Sequence, residues 1–538
     1  MKHWPIIASL IAIGVIANFL LPQFFTPPPS LAILSGSENR TLAPIIKSWS
    51  DENNVKVTLD YAGSVDISRE LSKGADSRYD AVWPAHSLWI DLGDEQHVVI
   101  HRRSILTSPV VLALKRSIAQ ELDWEGRNDL TIEDIAAAAQ AKSFRLAMTS
   151  ATQSNSGASA YLGFLHALSG KPEPLTLAAL DDPDLQEQIR GLLAQIDRSS
   201  GSSGWLKDML VANPDRFDAM VNYEAMALEA NQALIAAEQE PLYLIYPVNG
   251  IAVADSPLGL IDKGDPKTEE AFLALQAHLL SGKIQQSLIA QGRRAGLVDV
   301  TNSELIRRSL PIWNSAFGTD LSREITPVPT PEAEVIQKAL TLYQTDLRKP
   351  SLTVWVLDVS GSMEGKPLNQ LKTAMRMLFD PNQVAELLLQ PAPKDITIIL
   401  PFNADIQEPI TITGNSSAEL AKARVFITAL EADGGTDIYY ALYKALQAIE
   451  PYLDQDILES HLPAIVVMTD GRSETGNREP LFNWMQGNPY SLDIPIHSIA
   501  FGQADLNQLT ELTQTTIGRL FSASDNLAQS LRSAKGYN

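Results

Sequence analysis

Short apolar runs and helical periods alternate along most of the chain. LAILSGS, VKVTLDYAGS, YDAVW, SPVVLAL, FRLAM and LYLIYPV are separated by segments that read as helices. Leu42, Ile45, Ile46 and Trp49 fall at i, i+3, i+4 and i+7, the spacing of a helix with one buried face. Val55, Val57 and Leu59 alternate as they would on a half-buried strand. Such alternation predicts an α/β fold built on a largely parallel sheet, with ligand sites at strand C-termini. The pattern repeats nearer the C-terminus, where LTVWVLDVS, DITIILPF, AIVVMTDG, IPIHSIAFG and GRLFSAS are the expected strands. The helix after Thr436 places Ile438, Leu442, Ala445, Leu446 and Ile449 on one stripe. This second region reads as a doubly wound parallel sheet.

Proline divides the chain. At 538 residues it is too long for one ordinary core. TPPPS, residues 26–30, forms a stiff spacer, and ITPVPTP, residues 325–331, marks an interdomain linker. The expected division is a transmembrane signal anchor over 1–25, the spacer over 26–30, a two-lobed domain over 31–321, a Pro-rich linker over 322–335 and a last domain over 336–538. The stretch from Trp4 to Phe25 has no formal charge and is long enough for a bilayer-spanning helix of roughly 20 residues. Lys2 gives a positive-inside signal, and no small-x-small site follows. This reading makes the chain a single-pass cell-membrane protein with its bulk in the periplasm or at the cell surface; a cleaved signal peptide is the alternative.

Composition narrows the classes. Hydrophobic residues make up 45% and charged residues 20%, a balance that excludes wholesale disorder. The formal net charge of -22 argues against nucleic acid and against a polybasic contact with lipid headgroups. With no cysteine, disulfides, thiolate metal sites, thiol nucleophiles and a lipid-modified Cys are excluded.

The sharpest chemical signal is Asp358-Val-Ser360-Gly-Ser362 at the end of LTVWVL. A carboxylate and two hydroxyls at alternate positions leave a strand end and can converge on one hard cation. Thr436, just before a helix, can add a hydroxyl, and Asp470 closes the strand AIVVMTD. Oxygen-only ligands suit Mg2+ or Mn2+, and with only two carboxylates the ion keeps residual charge and open positions. This pattern resembles the von Willebrand factor A domain and its metal-ion-dependent adhesion site, from Leu352 to about Ala528. The resemblance implies that Asp358, Ser360, Ser362 and Thr436 lie at or near the metal, with Asp470 acting directly or through water. It also implies a protein partner that presents a carboxylate.

The first region resembles the type 2 periplasmic solute-binding proteins, particularly oxyanion binders. The matching residues are Ser35-Gly36-Ser37, Gly63-Ser64, SATQSNSGASA at 150–160, and Tyr223-Glu224. The resemblance implies two lobes, with crossings near Thr107–Val111 and Tyr243–Val248. It implies a cleft in which Ser35, Ser37, Ser64, Ser154, Ser156, Gly157 and Tyr223 line a small oxyanion site. Serine hydroxyls and Gly-rich helix N-termini can cradle such an anion. The Ser-rich motif contains no Arg, which leaves the anion's charge without a counterpart.

Other patterns carry less. Gly361-Ser-Met-Glu-Gly365-Lys366 is one residue short of a phosphate loop, and Pro367 stands at the Ser/Thr position. His97 and His101 flank a strand-like Val-Val-Ile, which holds their rings roughly 13 Å apart. No convincing acid/base pair is present, so a non-enzymatic binding protein is expected, its adhesion domain coupled to the solute-binding-like domain. The alternatives are a transporter-associated receptor for a small oxyanion and a metal-dependent phosphoester hydrolase.

Overall fold

The computed structural model describes residues 28–296, 311–453, 457–523 and 527–536. The N-terminal half contains β1 (Ser30–Gly36), β2 (Lys56–Ala62), β3 (Ala81–Trp83), β4 (Val99–Ser104), β5 (Leu106–Lys115), β6 (Leu146–Thr149), β7 (Ile196–Ser200), β8 (Ala219–Tyr223), β9 (Leu242–Ile245), β10 (Val253–Ala254), β11 (Pro257–Ile261) and β12 (Arg294–Ala295). They form two sheets, and each is the centre of a lobe. The first has the order β2-β1-β3-β11-β4 and the second β10-β5-β8-β6-β7, with β9 and β12 also pairing to β5. β1 is parallel to β2 and β3, as the strand-helix alternation requires, whereas β11 returns antiparallel.

The chain leaves the first lobe at Ile105, between β4 and β5, and returns between β10 and β11. The return lies beyond the expected Tyr243–Val248. β9 still belongs to the second sheet, and Val110 N–H bonds the Ala252 carbonyl before the chain crosses back.

The C-terminal sheet contains β13 (Ser351–Asp358), β14 (Ile396–Phe402), β15 (Ile410–Thr413), β16 (Leu462–Thr469), β17 (Ile496–Ala500) and β18 (Leu520–Ser522), in the order β15-β14-β13-β16-β17-β18. All neighbours are parallel except β15, a short edge strand not legible among the apolar runs. β13 is buried on both faces, which is why it reads as one continuous apolar run. Val354 and Val356 face one core with the helix Ile438–Leu453, and Trp355 and Leu357 face the other.

The two halves pack closely. The helix Ala333–Leu342 follows the proline-rich stretch and buries Val335, Ile336, Ala339 and Leu340 in the core of the second lobe, where Tyr161 donates to the Ala339 carbonyl at 3.0 Å. Gln153 donates to the Arg532 carbonyl at 2.8 Å, and Arg198 to that of Ile517 at 2.8 Å.

The expected single-pass membrane placement requires correction. Among the described residues no helix is long and apolar enough to cross a membrane. The helix Ile438–Leu453 has 16 residues, short of the roughly 20 that a bilayer needs, and its apolar stripe is spent on the sheet. The segment Trp4 to Phe25 lies outside the described residues.

Candidate functional site

The C-terminal edge of the third sheet gathers three loops. Asp358 ends β13 opposite Phe402 of β14, and Leu357 pairs with Met468, so Thr469 and Asp470 leave β16 beside it. Asp358 is fully buried, Ser360 is 1% exposed and Asp470 7%, whereas Ser362 is exposed. Ser360 N–H donates to Asp358 Oδ1 at 2.8 Å, and Thr469 Oγ1 donates to Asp358 Oδ2 at 2.6 Å. The hydroxyls of Ser360 and Ser362 are 3.1 Å apart, and Ser362 donates to Asp470 Oδ1 at 2.9 Å. The third loop is tied in by backbone: Gly361 N–H bonds the Gly434 carbonyl at 2.9 Å, and Glu474 N–H bonds the Thr436 carbonyl at 2.9 Å. Gly434 sits at φ 79°, a left-handed conformation that suits glycine. A Cβ on Gly471 would lie 3.2 Å from Ser362 Oγ and 4.0 Å from Thr436 Oγ1, so all three loops meet in one small volume.

Burial raises the Asp358 carboxyl above its ordinary range, hydrogen bonds from Ser360 and Thr469 oppose this, and the charge of Asp470 adds to it. Among the described residues no group of three or more His, Asp or Glu side chains forms a metal cluster. This rim has two carboxylates and completes its oxygen set with hydroxyls, a donor chemistry that fits a hard divalent cation. Asp437, next to Thr436, is committed elsewhere: its carboxylate accepts from Tyr440 N–H and from Asn477 Nδ2. Thr469 is the rim residue that the sequence reasoning missed; its adjacency to Asp470 was the available signal.

The serine residues of the N-terminal half meet a different fate. The cleft is closed, and Gly63 packs so tightly on the Gln153 carbonyl of the other lobe that a Cβ would collide. Ser156 Oγ lies 2.8 Å from Thr149 Oγ1 and 2.7 Å from Ser203 Oγ, and Ser154 Oγ lies 2.9 Å from Ser203 Oγ. Gly157 backs this cluster against the Thr149 carbonyl. Ser64 accepts from Ala85 N–H, Ser35 accepts from Asn39, and Tyr223 accepts from Asn155 Nδ2 at 2.9 Å. Asn155 also receives Trp89 Nε1 from the first lobe at 2.6 Å, which locks the lobes together. Ser37 accepts from Ser202 across the cleft at 3.0 Å and lines a cavity at its mouth.

Family models match both halves: residues 31–294 match the bacterial extracellular solute-binding protein, and residues 354–534 match the von Willebrand factor type A domain. The chain thus carries one region similar to each of these two families. Over 133 residues the chain is 28% identical to inter-alpha-trypsin inhibitor heavy chain H4 of Bos taurus, covering 24% of this chain and 14% of that protein. Heavy chain H3 of Homo sapiens is 26% identical over 156 residues, 28% of this chain and 16% of its own length. The chain thus spans a small part of the curated relatives that it matches. Among solved structures, the sulfate-binding protein SubI from Mycobacterium tuberculosis H37Rv covers 51% of this chain and 88% of itself, at 16% identity and a TM-score of 0.38. Iron-bound HitA from Pseudomonas aeruginosa covers 59% and 98%, at 14% identity and a TM-score of 0.41.

Glu224, a second pocket candidate of the solute-binding domain, is fully buried and serves as a structural anchor. Arg294 holds it with two hydrogen bonds, 2.7 and 2.9 Å, and Tyr246 donates to it at 2.5 Å.

Proposed function

We propose that the type A domain captures a protein partner through a carboxylate at a divalent-cation site, and that the solute-binding domain is the platform displaying it. The observation that carries this reading is the meeting of Asp358, Ser360, Ser362, Thr436 and Asp470 from three loops at one rim that opens to solvent at Ser362. These five residues would hold Mg2+ or Mn2+. When bound, the cation supplies an open position for an external carboxylate oxygen. The chain's own part is to fix the oxygens: Thr469 and the Ser360 N–H orient the Asp358 carboxylate, while Ser362 orients that of Asp470. Matched relatives are named as heavy chains of a trypsin inhibitor, that is, as components of protein assemblies, which supports a protein partner.

Calorimetric titration of the full chain with Mg2+ and Mn2+, wild type against Asp358→Ala, tests the site. Metal affinity is expected to fall at least tenfold, since hydroxyls cannot replace the lost charge. Equal binding by both proteins would overturn the reading. Metal-dependent phosphoester hydrolysis abolished by Asp358→Ala would replace capture with catalysis.

A further inference from the structure

The seam between the second lobe and the type A domain holds a cavity of about 40 Å³. Ser150, Ile196 and Ser199 line it from the lobe, and Arg348, Lys349 and Lys535 from the opposite side. One water needs roughly 10–15 Å³ of such space, so the cavity has room for a guest of roughly three or four heavy atoms. Its charged lining residues are all cations, and among the described residues no Asp or Glu lines it. In a chain whose formal net charge is -22, that sign runs against the composition.

The three cations are not equally matched. Arg348 donates to both carboxylate oxygens of Asp395, at 3.1 and 2.5 Å, and the N–H groups of Ser351 and Ala392 complete that carboxylate. Asp395 therefore attracts Lys535 without touching it. Lys535, at the end of the helix Leu527–Lys535, donates to the Leu389 carbonyl at 2.7 Å. Lys349 is buried, and its ammonium donates to the Ile196 carbonyl at 3.3 Å. Ile196 and Leu389 both line the cavity, so each ammonium stands at its wall. An ammonium carries three donors, and among the described residues no carboxylate is within ion-pair distance of either lysine. Asp197 draws Lys349 from outside the cavity, while its own carboxylate accepts from Leu146 N–H. Glu459, further out, is held by Lys142 at the surface. Setting Asp395 and Asp197 against Arg348, Lys349 and Lys535 leaves one positive charge over. Burial pulls the Lys535 ammonium down to about 8, with Asp395 opposing and the Arg348 charge adding to the fall. An unmatched ammonium is costly to take out of water, and a counter-ion offsets that cost.

We propose that this cavity binds one small monovalent anion, of the size of formate or nitrate, between the ammonium groups of Lys349 and Lys535. One negative charge balances the surplus, and a guest of that size fills the space. Two lysines present separate point charges, which suit a compact ion better than the fixed fork of one arginine. Ser150 and Ser199 add hydroxyls from the lobe, so the anion joins the two domains across their seam. The site is separate from the metal rim at Asp358 and from the serine cluster of the cleft.

The test is titration calorimetry of the full chain with sodium formate and with sodium nitrate. The buffer contains only bulky anions, HEPES and a chelator, and the chelator keeps a metal at the rim from taking the formate. Saturable binding of one anion per chain is expected, together with a rise in the unfolding temperature, because a ligand of the native state stabilises it. Lys349→Met and Lys535→Met remove the charge at similar side-chain length. Each should weaken binding about tenfold or more, the loss of one charge-assisted contact. Lys535 is half-buried, so its variant keeps the test valid even if Lys349→Met loosens the seam. Absence of saturable binding of both anions at millimolar concentration, or binding untouched by both methionine variants, would overturn the proposal.

Discussion

The rim at Asp358 and the cleft at Ser156 use the same hydroxyl chemistry and arrive at opposite states. In the cleft, Ser154, Ser156 and Ser203 lie within hydrogen-bond distance of one another and Thr149 joins them through Ser156, and each hydroxyl can both give and accept. The ring closes on itself. At the rim, the hydroxyls of Ser360 and Ser362 lead to Asp470, and Thr469 leads to Asp358, so each path ends on a group that only accepts. Acceptors are left in excess, a balance that a bound cation would restore. Counting donors against acceptors, more than counting serines, separates a ligand site from a polar core.

The largest effect should come from removing an acceptor where the account already balances. Glu224→Ala leaves Arg294 buried without its carboxylate, and breaking such a pair costs about 3–5 kcal/mol. Denaturant unfolding should show a loss of this size. A loss under about 1 kcal/mol would mean that the cluster of Glu224, Arg294 and Tyr246 is not balanced as described.

The same kind of change at the rim should behave differently. Asp358→Asn keeps an acceptor for Ser360 N–H, so metal-free stability should shift by no more than about 1 kcal/mol. What disappears is the stabilisation by metal, about 2.7 kcal/mol at a hundredfold excess over Kd in the wild type. Thermal unfolding with and without Mg2+ reads both quantities in one experiment. A variant still stabilised by Mg2+ as the wild type is would remove the contrast with the cleft.

These differences also explain what was legible in the sequence. β13 and β16 are buried on both faces and announce themselves as unbroken apolar runs. The rim residues follow those runs directly, so short-range spacing carries the site. β15 has one buried residue in four, Ile412, and gives no such signal. The closure of the serine cluster was not readable, because Ser203 joins it from a separate helix and only the three-dimensional packing pairs it with Ser154 and Ser156. The helix Ala333–Leu342 shows a clean amphipathic period, but a period cannot say which domain receives its face.

A smaller effect is expected inside the ring. Ser156→Ala removes the fully buried hydroxyl that meets Thr149, Ser154 and Ser203, at about 1 kcal/mol. Denaturant unfolding of the variant against the wild type checks this value. A loss above about 3 kcal/mol would show that the remaining hydroxyls cannot satisfy one another without Ser156.

An effect that vanishes in acid and grows with pH is expected at Glu38, beside the cleft. Its Oε1 is buried without a partner, and burial pushes the carboxyl up to about 7, against the weaker pull of Arg293. The folded protein thus holds this proton more tightly than the unfolded chain, whose glutamate titrates near its ordinary value of about 4.3. The protonated carboxyl contributes fully below that value, and its contribution is lost as pH rises towards 7. Glu38→Gln cannot ionise, so it should match the wild type at pH 4 and become the more stable of the two by pH 8. Melting curves of both proteins across that range decide the point. Parallel pH profiles would show that Glu38 finds a compensating cation on folding, and the cleft would then be a site with charge to spare.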